Sequence, residues 1–403
     1  EGSGMNRRFL IWDNPRDALL SLVCFLMVVG AVNIFSASFV AAKDMFGNGY
    51  YYLIRYGIYG FAGLVIMWLL GKSDYHKLFV AAKPAFVAFF LMLLYVDAFG
   101  KATKGAQRWI SLGPVSFQPS EFVKLGVILL GAAYLGPRME KKMPISLFTP
   151  QSGTAFWAAA LLAFLVLKQP DMGTAAIILA LMAVLYRVAG LSFKKSHVVL
   201  AVTVLVAGVV AAIRMSPYRM NRILIWFNPE SDPQGNGYQA VQSFVAIGSG
   251  GIFGNPFGMG MGPSKFFFLP EAHTDFAFAV FCQEWGFLGA LFLLGVFLLM
   301  AAALVRIAQN TRDCSGFLLV TGANFLIVGQ AIANMAMVCG VLPVIGVPLS
   351  FISYGGTSLM ATLMAMGLVF SVYNQECLRE RKEQLHMNLA EDADRRQFGR
   401  HRV

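Results

Sequence analysis

Residues 270–304 read PEAHTDF followed by AFAVFCQEWGFLGALFLLGVFLLMAAAL, a short polar stretch that opens an apolar run long enough to cross a membrane. Comparable runs lie near 17–38, 52–71, 78–97, 120–136, 154–168, 173–190, 197–214, 316–338 and 358–374. Together they predict an all-α polytopic membrane protein with about ten transmembrane helices and a large extracytoplasmic loop, residues 215–275, between helices 7 and 8. Two runs, 154–168 and 173–190, are only just long enough, since at 1.5 Å per residue the second reaches roughly 27 Å. With 57% hydrophobic and 13% charged residues, the chain is not a soluble domain around one core.

An even number of crossings puts both termini on one side, and the basic run Arg379-Glu380-Arg381-Lys382 marks that side as cytoplasmic. Roughly 21 of the 32 Lys and Arg then fall inside, an asymmetry that supports the count of crossings in a multi-pass membrane protein. The net charge of +11 is spread over helix ends, which argues against nucleic acid as a partner and for lipid-facing topology. The same parity sends 98–119, 169–172, 215–275 and 339–357 to the outer face. An extra crossing at 341–353 would flip the tail against its charge, so Gly340 to Gly356 is expected to be a broken or re-entrant outer segment. Residues 5–377 read as a single membrane domain without tandem repeats, and 378–403 as a mobile cytoplasmic tail. Glu1-Gly2-Ser3-Gly4 reads as an expression scar, and no cleavable signal is expected, because Arg7 and Arg8 run into a spanning helix. The cysteines Cys24, Cys282, Cys314, Cys339 and Cys377 lack CxxC spacing and read as small hydrophobes.

Asp275 is the candidate reacting group. A carboxylate at the mouth of a membrane helix meets water and lipid head groups together, and the helix N-terminus favours its ionised form. The alternative is that Thr274 or Asp275 only caps the helix. His273 has no second His or Cys at ligand spacing, which favours a hydrogen-bonding role over a metal. In the first outer loop Lys101, Lys104 and Arg108 stand beside Trp109, fit to grip a phosphate or to anchor the chain at the interface. Glu121 and Lys124, three apart on one helix face, read as an ion pair with a structural role or a role in positioning substrate or proton. Asp171 follows Pro170 and is placed to cap the next helix. Arg214, Arg219 and Arg222, interleaved with Tyr218, Trp226 and Phe227, suggest an interfacial amphipathic helix before a turn at Asn228-Pro229-Glu230. The Gly-rich run 248–262 lacks phosphate-loop spacing and reads as flexible backbone beside a groove.

These motifs, taken in order, resemble the SEDS family of bacterial shape, elongation, division and sporulation proteins, the FtsW/RodA type. The resemblance covers nearly the whole membrane region. It rests on Gly105-Ala106-Gln107-Arg108-Trp109-Ile110, Phe117-Gln118-Pro119-Ser120-Glu121, Gln169-Pro170-Asp171-Met172-Gly173-Thr174, Gly237-Tyr238-Gln239, Glu271-Ala272-His273-Thr274-Asp275-Phe276 and Phe351-Ile352-Ser353-Tyr354-Gly355-Gly356-Thr357-Ser358. Ala272 after Glu271 is closer to the division type, FtsW, than to the elongation type. Trp285 stands where a small or aliphatic residue is expected, and Ser350 where Pro usually precedes Phe-Ile-Ser.

The resemblance implies a peptidoglycan glycosyltransferase that polymerises lipid II at the outer face of the membrane beside a class B penicillin-binding protein, a transpeptidase, and other divisome membrane proteins. It implies that Asp275 matches the family's essential aspartate and gives weight to Arg108, Glu121, Lys124 and Asp171, with Trp109, Gln239, His273, Thr274, Ser353 and Ser358 as supporting residues. A pyrophosphate leaves as an anion, so one carboxylate base suffices if cations meet the developing charge. Lys101, Lys104, Arg108, Arg219, Arg222 and Lys265 are the candidates for that task. No cofactor is required, although a divalent cation, Mg²⁺ or Mn²⁺, could share it. The competing readings are a flippase or transporter of the same lipid-linked precursor, an elongation-type polymerase, and a scaffold without chemistry.

Overall fold

The computed structural model describes residues 9–103, 106–112, 115–191, 224–232, 237–255 and 269–400, which fold into a bundle of long helices. Helix α1 (Pro15–Phe46) starts where the Asn14 side chain accepts the Asp17 N–H at 3.0 Å and Pro15 takes the first helical position. It stops at Gly47, whose φ of 71° turns the chain back onto the Lys43 carbonyl. The following helices are α2 (Tyr51–Lys72), the short α3 (Tyr75–Val80), α4 (Ala82–Phe99), α5 (Pro119–Glu140), α6 (Ser152–Lys168), α7 (Met172–Val188), α8 (Tyr238–Gly250), α9 (Ala277–Asn310), α10 (Cys314–Val338) and α11 (Gly356–Arg400). Among the described residues seven helices, α1, α2, α4, α5, α9, α10 and α11, are long and apolar enough to span a membrane. The 17-residue α6 and α7 reach roughly 25 Å, and the crossing expected at 197–214 lies outside the described residues.

The core is built from Leu19, Leu26, Ile34, Val127, Ile128, Phe297, Met300, Met366 and Val369, while Phe61, Trp68, Phe292 and Leu298 face outward. Apolar residues on both the inner and outer faces suit helices solvated by lipid. Helix α11 runs along α2 at close range: a Cβ on Gly367 would stand 2.9 Å from the Met67 backbone. Small residues permit that approach.

Four features depart from the expected string of simple spans. The loop expected on the outer face is an antiparallel meander of β1 (Lys101–Thr103), β2 (Ala106–Leu112) and β3 (Val115–Phe117), with Lys101 opposite Trp109 and Ile110 opposite Phe117. The aromatic and β-branched residues Trp109, Ile110, Val115 and Phe117 favour strand here. The run at 277–304 is not one helix but two, broken at Gly286, which has φ 66° and ψ −168°. There the Phe287 and Leu288 N–H groups donate to the carbonyls of Gly251 and Ile252 at 2.9 and 3.1 Å, and the Asn255 N–H donates to Gln283 O at 3.0 Å. The crossing needs glycine, since a Cβ on Gly286 would lie 2.3 Å from Gly254 N. Part of the expected flexible Gly-rich run is thus helical, forming the end of α8 against α9. Finally, the polar run expected as a mobile tail continues α11 to Arg400.

Residues 339–355 form the expected broken segment, without regular secondary structure yet with Val347, Leu349, Ser350, Phe351, Ile352 and Ser353 buried. Non-helical backbone at such a place must find partners, and side chains of neighbouring helices supply them. Tyr56 donates to Phe351 O at 2.6 Å, Gln330 to Pro348 O at 3.0 Å and Asn334 to Val347 O at 2.6 Å. The Ser350 hydroxyl donates to Ile327 O at 2.9 Å, inside a π-turn over Phe325–Gly329 that interrupts α10. Proline could not make that bond. The bundle has two polar ends. One gathers Asp74, His76, Asp313 and Glu376; the other gathers Tyr52, Arg108, Asp171, His273, Asp275 and Gly346.

Candidate active site

Phe276 occupies the cap position of α9 and makes no side-chain cap. Asp275 therefore stands one residue outside the helix. Thr274 is not the cap either, because its hydroxyl donates to the Glu271 carboxylate at 2.8 Å and its N–H to Glu271 O at 3.1 Å. Glu271 itself has φ 56°, which folds the loop tightly before the helix. The Asp275 carboxylate is half-buried and borders the broken segment, where a Cβ on Gly346 would lie 3.5 Å from Oδ2. Its carbonyl accepts from Asn334 Nδ2 at 2.8 Å.

His273 packs against the rings of Tyr52 and Tyr354, at 4.3 and 5.8 Å between centroids, and its carbonyl accepts the Tyr354 N–H at 2.7 Å. Burial pushes the Tyr354 phenol up to about 12, against the opposing pull of Arg55, which hydrogen-bonds it. At neutral pH that phenol is a donor. The Arg55 guanidinium also lies over the Tyr51 ring, 4.7 Å from its centroid.

Glu121 and Lys124 are 4% and 1% exposed, so neither charge is shared with solvent. Lys124 Nζ donates to Glu121 Oε2 and to Gln330 Oε1, both at 2.8 Å. Because Gln330 in turn holds Pro348 O, the ion pair on α5 is tied through α10 to the segment that borders Asp275.

The turn between α6 and α7 is braced from the meander. Arg108 Nε donates to Gln169 O at 3.1 Å and its Nη2 to Pro170 O. Asp171 caps α7 by accepting the Thr174 N–H at 3.2 Å, and its second oxygen accepts from Gln118 at 3.3 Å. Burial raises the Asp171 carboxyl above its ordinary range, opposed by the nearby Arg108. Gly173 touches the broken segment as well, since a Cβ there would meet Ile345 O at 2.2 Å. Gly173 and Asp275 thus border residues 345–348 directly, and Lys124 reaches them through Gln330.

Trp109 lies in β2 and Lys101 in β1. Gln239 lines an apolar pocket with Trp226, Phe244, Phe276 and Met337, next to the Asp275 loop. The Ser353 hydroxyl accepts the Leu349 N–H at 2.9 Å and so shapes the segment. Ser358 is buried in the first turn of α11. Lys104, Arg219, Arg222 and Lys265 lie outside the described residues. The sequence alone did not single out Tyr52, Arg55, Gln330 or Asn334, and Tyr354 stood out only as a member of the 351–358 motif. Gln330 and Asn334 had carried a readable signal, two amides four residues apart in an apolar span.

The family model described as "Cell cycle protein", covering FtsW, RodA and SpoVE, matches residues 17–377. A protein of Geobacter sp. (strain M18) named "Probable peptidoglycan glycosyltransferase FtsW" is 37% identical over 357 residues, covering 88% of this chain and 95% of its own. Stage V sporulation protein E of Bacillus subtilis is 34% identical over 365 residues, covering 89% and 97%. A chain from a solved peptidoglycan synthase complex that coordinates polymerization and crosslinking superposes with a TM-score of 0.73 at 32% identity, covering 89% of this chain and 97% of that one.

Proposed function

This chain belongs to the family of FtsW, RodA and SpoVE cell cycle proteins, and from that premise we propose that it is a peptidoglycan glycosyltransferase that polymerises lipid II at the outer face of the cytoplasmic membrane in cell division. The observation that carries the reading is the placement of Asp275. Its carboxylate stands at the mouth of α9 against Gly346, in a segment that Gly173 borders and that Lys124 reaches through Gln330. In the proposed step Asp275 takes the proton from a sugar hydroxyl of one lipid-linked disaccharide. The oxygen forms a bond to the anomeric carbon of the growing chain or of a second substrate, and the anomeric C–O bond to the lipid pyrophosphate breaks, its electron pair leaving with the phosphate.

Lys101, Lys104, Arg219, Arg222 and Lys265 are the proposed partners of the departing pyrophosphate. Arg108 acts through the 169–171 turn, since two of its nitrogens already serve carbonyls there. A Mg²⁺ or Mn²⁺ ion on the pyrophosphate would share the charge, and activity lost to EDTA and restored by either metal would reveal it. The partner is a class B penicillin-binding transpeptidase, a reading supported by similarity to the synthase-complex chain, and other divisome membrane proteins are proposed alongside it. Both termini are cytoplasmic, a reading supported by the basic tail. The test is turnover: the pure protein, alone or with its transpeptidase, should convert fluorescent lipid II into long glycan in the presence of inhibitors of the penicillin-binding glycosyltransferases. A protein that moves lipid II across vesicles without making glycan would be a flippase instead.

A further inference from the structure

We propose that Asn334 is a positioning residue for Asp275, clamping the two backbones that bound its carboxylate. The inference rests on the reading of Asp275 as the base. Asn334 is fully buried on α10, and its one amide nitrogen donates to Asp275 O at 2.8 Å and to Val347 O at 2.6 Å. Val347 follows Gly346, where a Cβ would lie 3.5 Å from the Asp275 carboxylate. One side chain therefore fixes the distance between the base's own peptide and the wall it faces.

The rest of α10 is arranged to hold that side chain in place. Gln330, one turn earlier, holds Pro348 O and accepts from Lys124, so the clamp is anchored to the buried ion pair on α5. The π-turn over Phe325–Gly329 immediately precedes both amides, and its Ile327 carbonyl receives Ser350 from the same segment. Such a turn inserts a residue and rotates the helix face that follows it. Among the described residues no donor meets Asn334 Oδ1, so the side chain is held by its donors alone. A neutral amide there supplies two donated bonds without adding charge next to a carboxylate that must accept a proton.

The test is steady-state kinetics of the full chain with its transpeptidase partner on lipid II. Asn334→Leu should lower kcat about 10- to 100-fold, the loss expected when a base is misplaced by about 1 Å, with KM changed less than about threefold. Asn334→Asp offers no donor when ionised and one when protonated. Its rate relative to Asn334→Leu should therefore rise as pH falls from 8 to 6. Ser371→Ala removes a 2.6 Å bond from α11 to Ser73 O, at the other polar end of the bundle, and should lower the melting temperature while leaving kcat unchanged.

A flat pH ratio between the Asp and Leu variants, with kcat per folded molecule unchanged in both, would show that Asn334 only holds the fold. If Asn334→Leu does not fold, the pH profile of Asn334→Asp against wild type carries the same decision. Should Asp275→Asn polymerise normally, the base assignment fails and this inference with it. Should Asp275→Asn be inactive while Asn334→Leu turns over normally, only this inference fails.

Discussion

Lys124→Met probes the buried ion pair and the connection it anchors. The substitution keeps the length of the side chain but removes Nζ, and with it two hydrogen bonds of 2.8 Å, one to Glu121 and one to Gln330. Glu121, 4% exposed, is left as a carboxylate with neither water nor a cation. Breaking a buried pair in this way costs about 3–5 kcal/mol. The destabilisation should therefore be about 4 kcal/mol. Adding Glu121→Gln removes the stranded charge, and the double variant should recover to within about 1 kcal/mol of wild type. Unfolding in mixed micelles, followed by intrinsic fluorescence, measures all three proteins. A single-variant loss under about 1 kcal/mol, or a double variant no more stable than the single one, would refute the view that this is a desolvated pair.

Three further outcomes follow from the geometry. Gly286→Ala places a Cβ about 2.3 Å from Gly254 N at a φ of 66°, so the variant should lose more than about 3 kcal/mol, seen as loss of folded protein in detergent gel filtration. The Arg312–Glu383 contact of 2.7 Å holds the Glu383 carboxyl below its ordinary 4.5; a lowered carboxyl stabilises above its unfolded pKa, so hydrogen-exchange protection near 376–390 should be constant above pH 4.5 and fall as acid passes through the lowered value. Cys339 is exposed at the end of α10, and a membrane-impermeant maleimide should label it in intact cells, whereas labelling of Cys377 alone would reverse the proposed orientation.

The spans were legible because lipid demands length and apolarity, and those are written residue by residue. The broken segment was legible for the complementary reason, that Pro343 and Pro348 interrupt a helix and glycines such as Gly346 and Gly355 favour irregular backbone. The break at Gly286 was not, because one glycine in an apolar run is usually tolerated, and the groups that complete this break come from Gly251, Ile252 and Asn255, over thirty residues away at the nearest. The meander escaped because its strands of three and seven residues are too short for a period to stand out. At the site, charged residues drew attention by their cost in a membrane. The amides Gln330 and Asn334 join them to the broken segment, a role visible only once α10 is packed against it.

The central claim is that Asp275 is the group that takes the proton. Glycan formation from fluorescent lipid II by purified Asp275→Asn, at wild-type expression, melting temperature and transpeptidase binding, tests it directly. Amide for carboxylate preserves size and removes the base, so polymer should fall to background while lipid II still binds. Long glycan made at a normal rate would contradict the account.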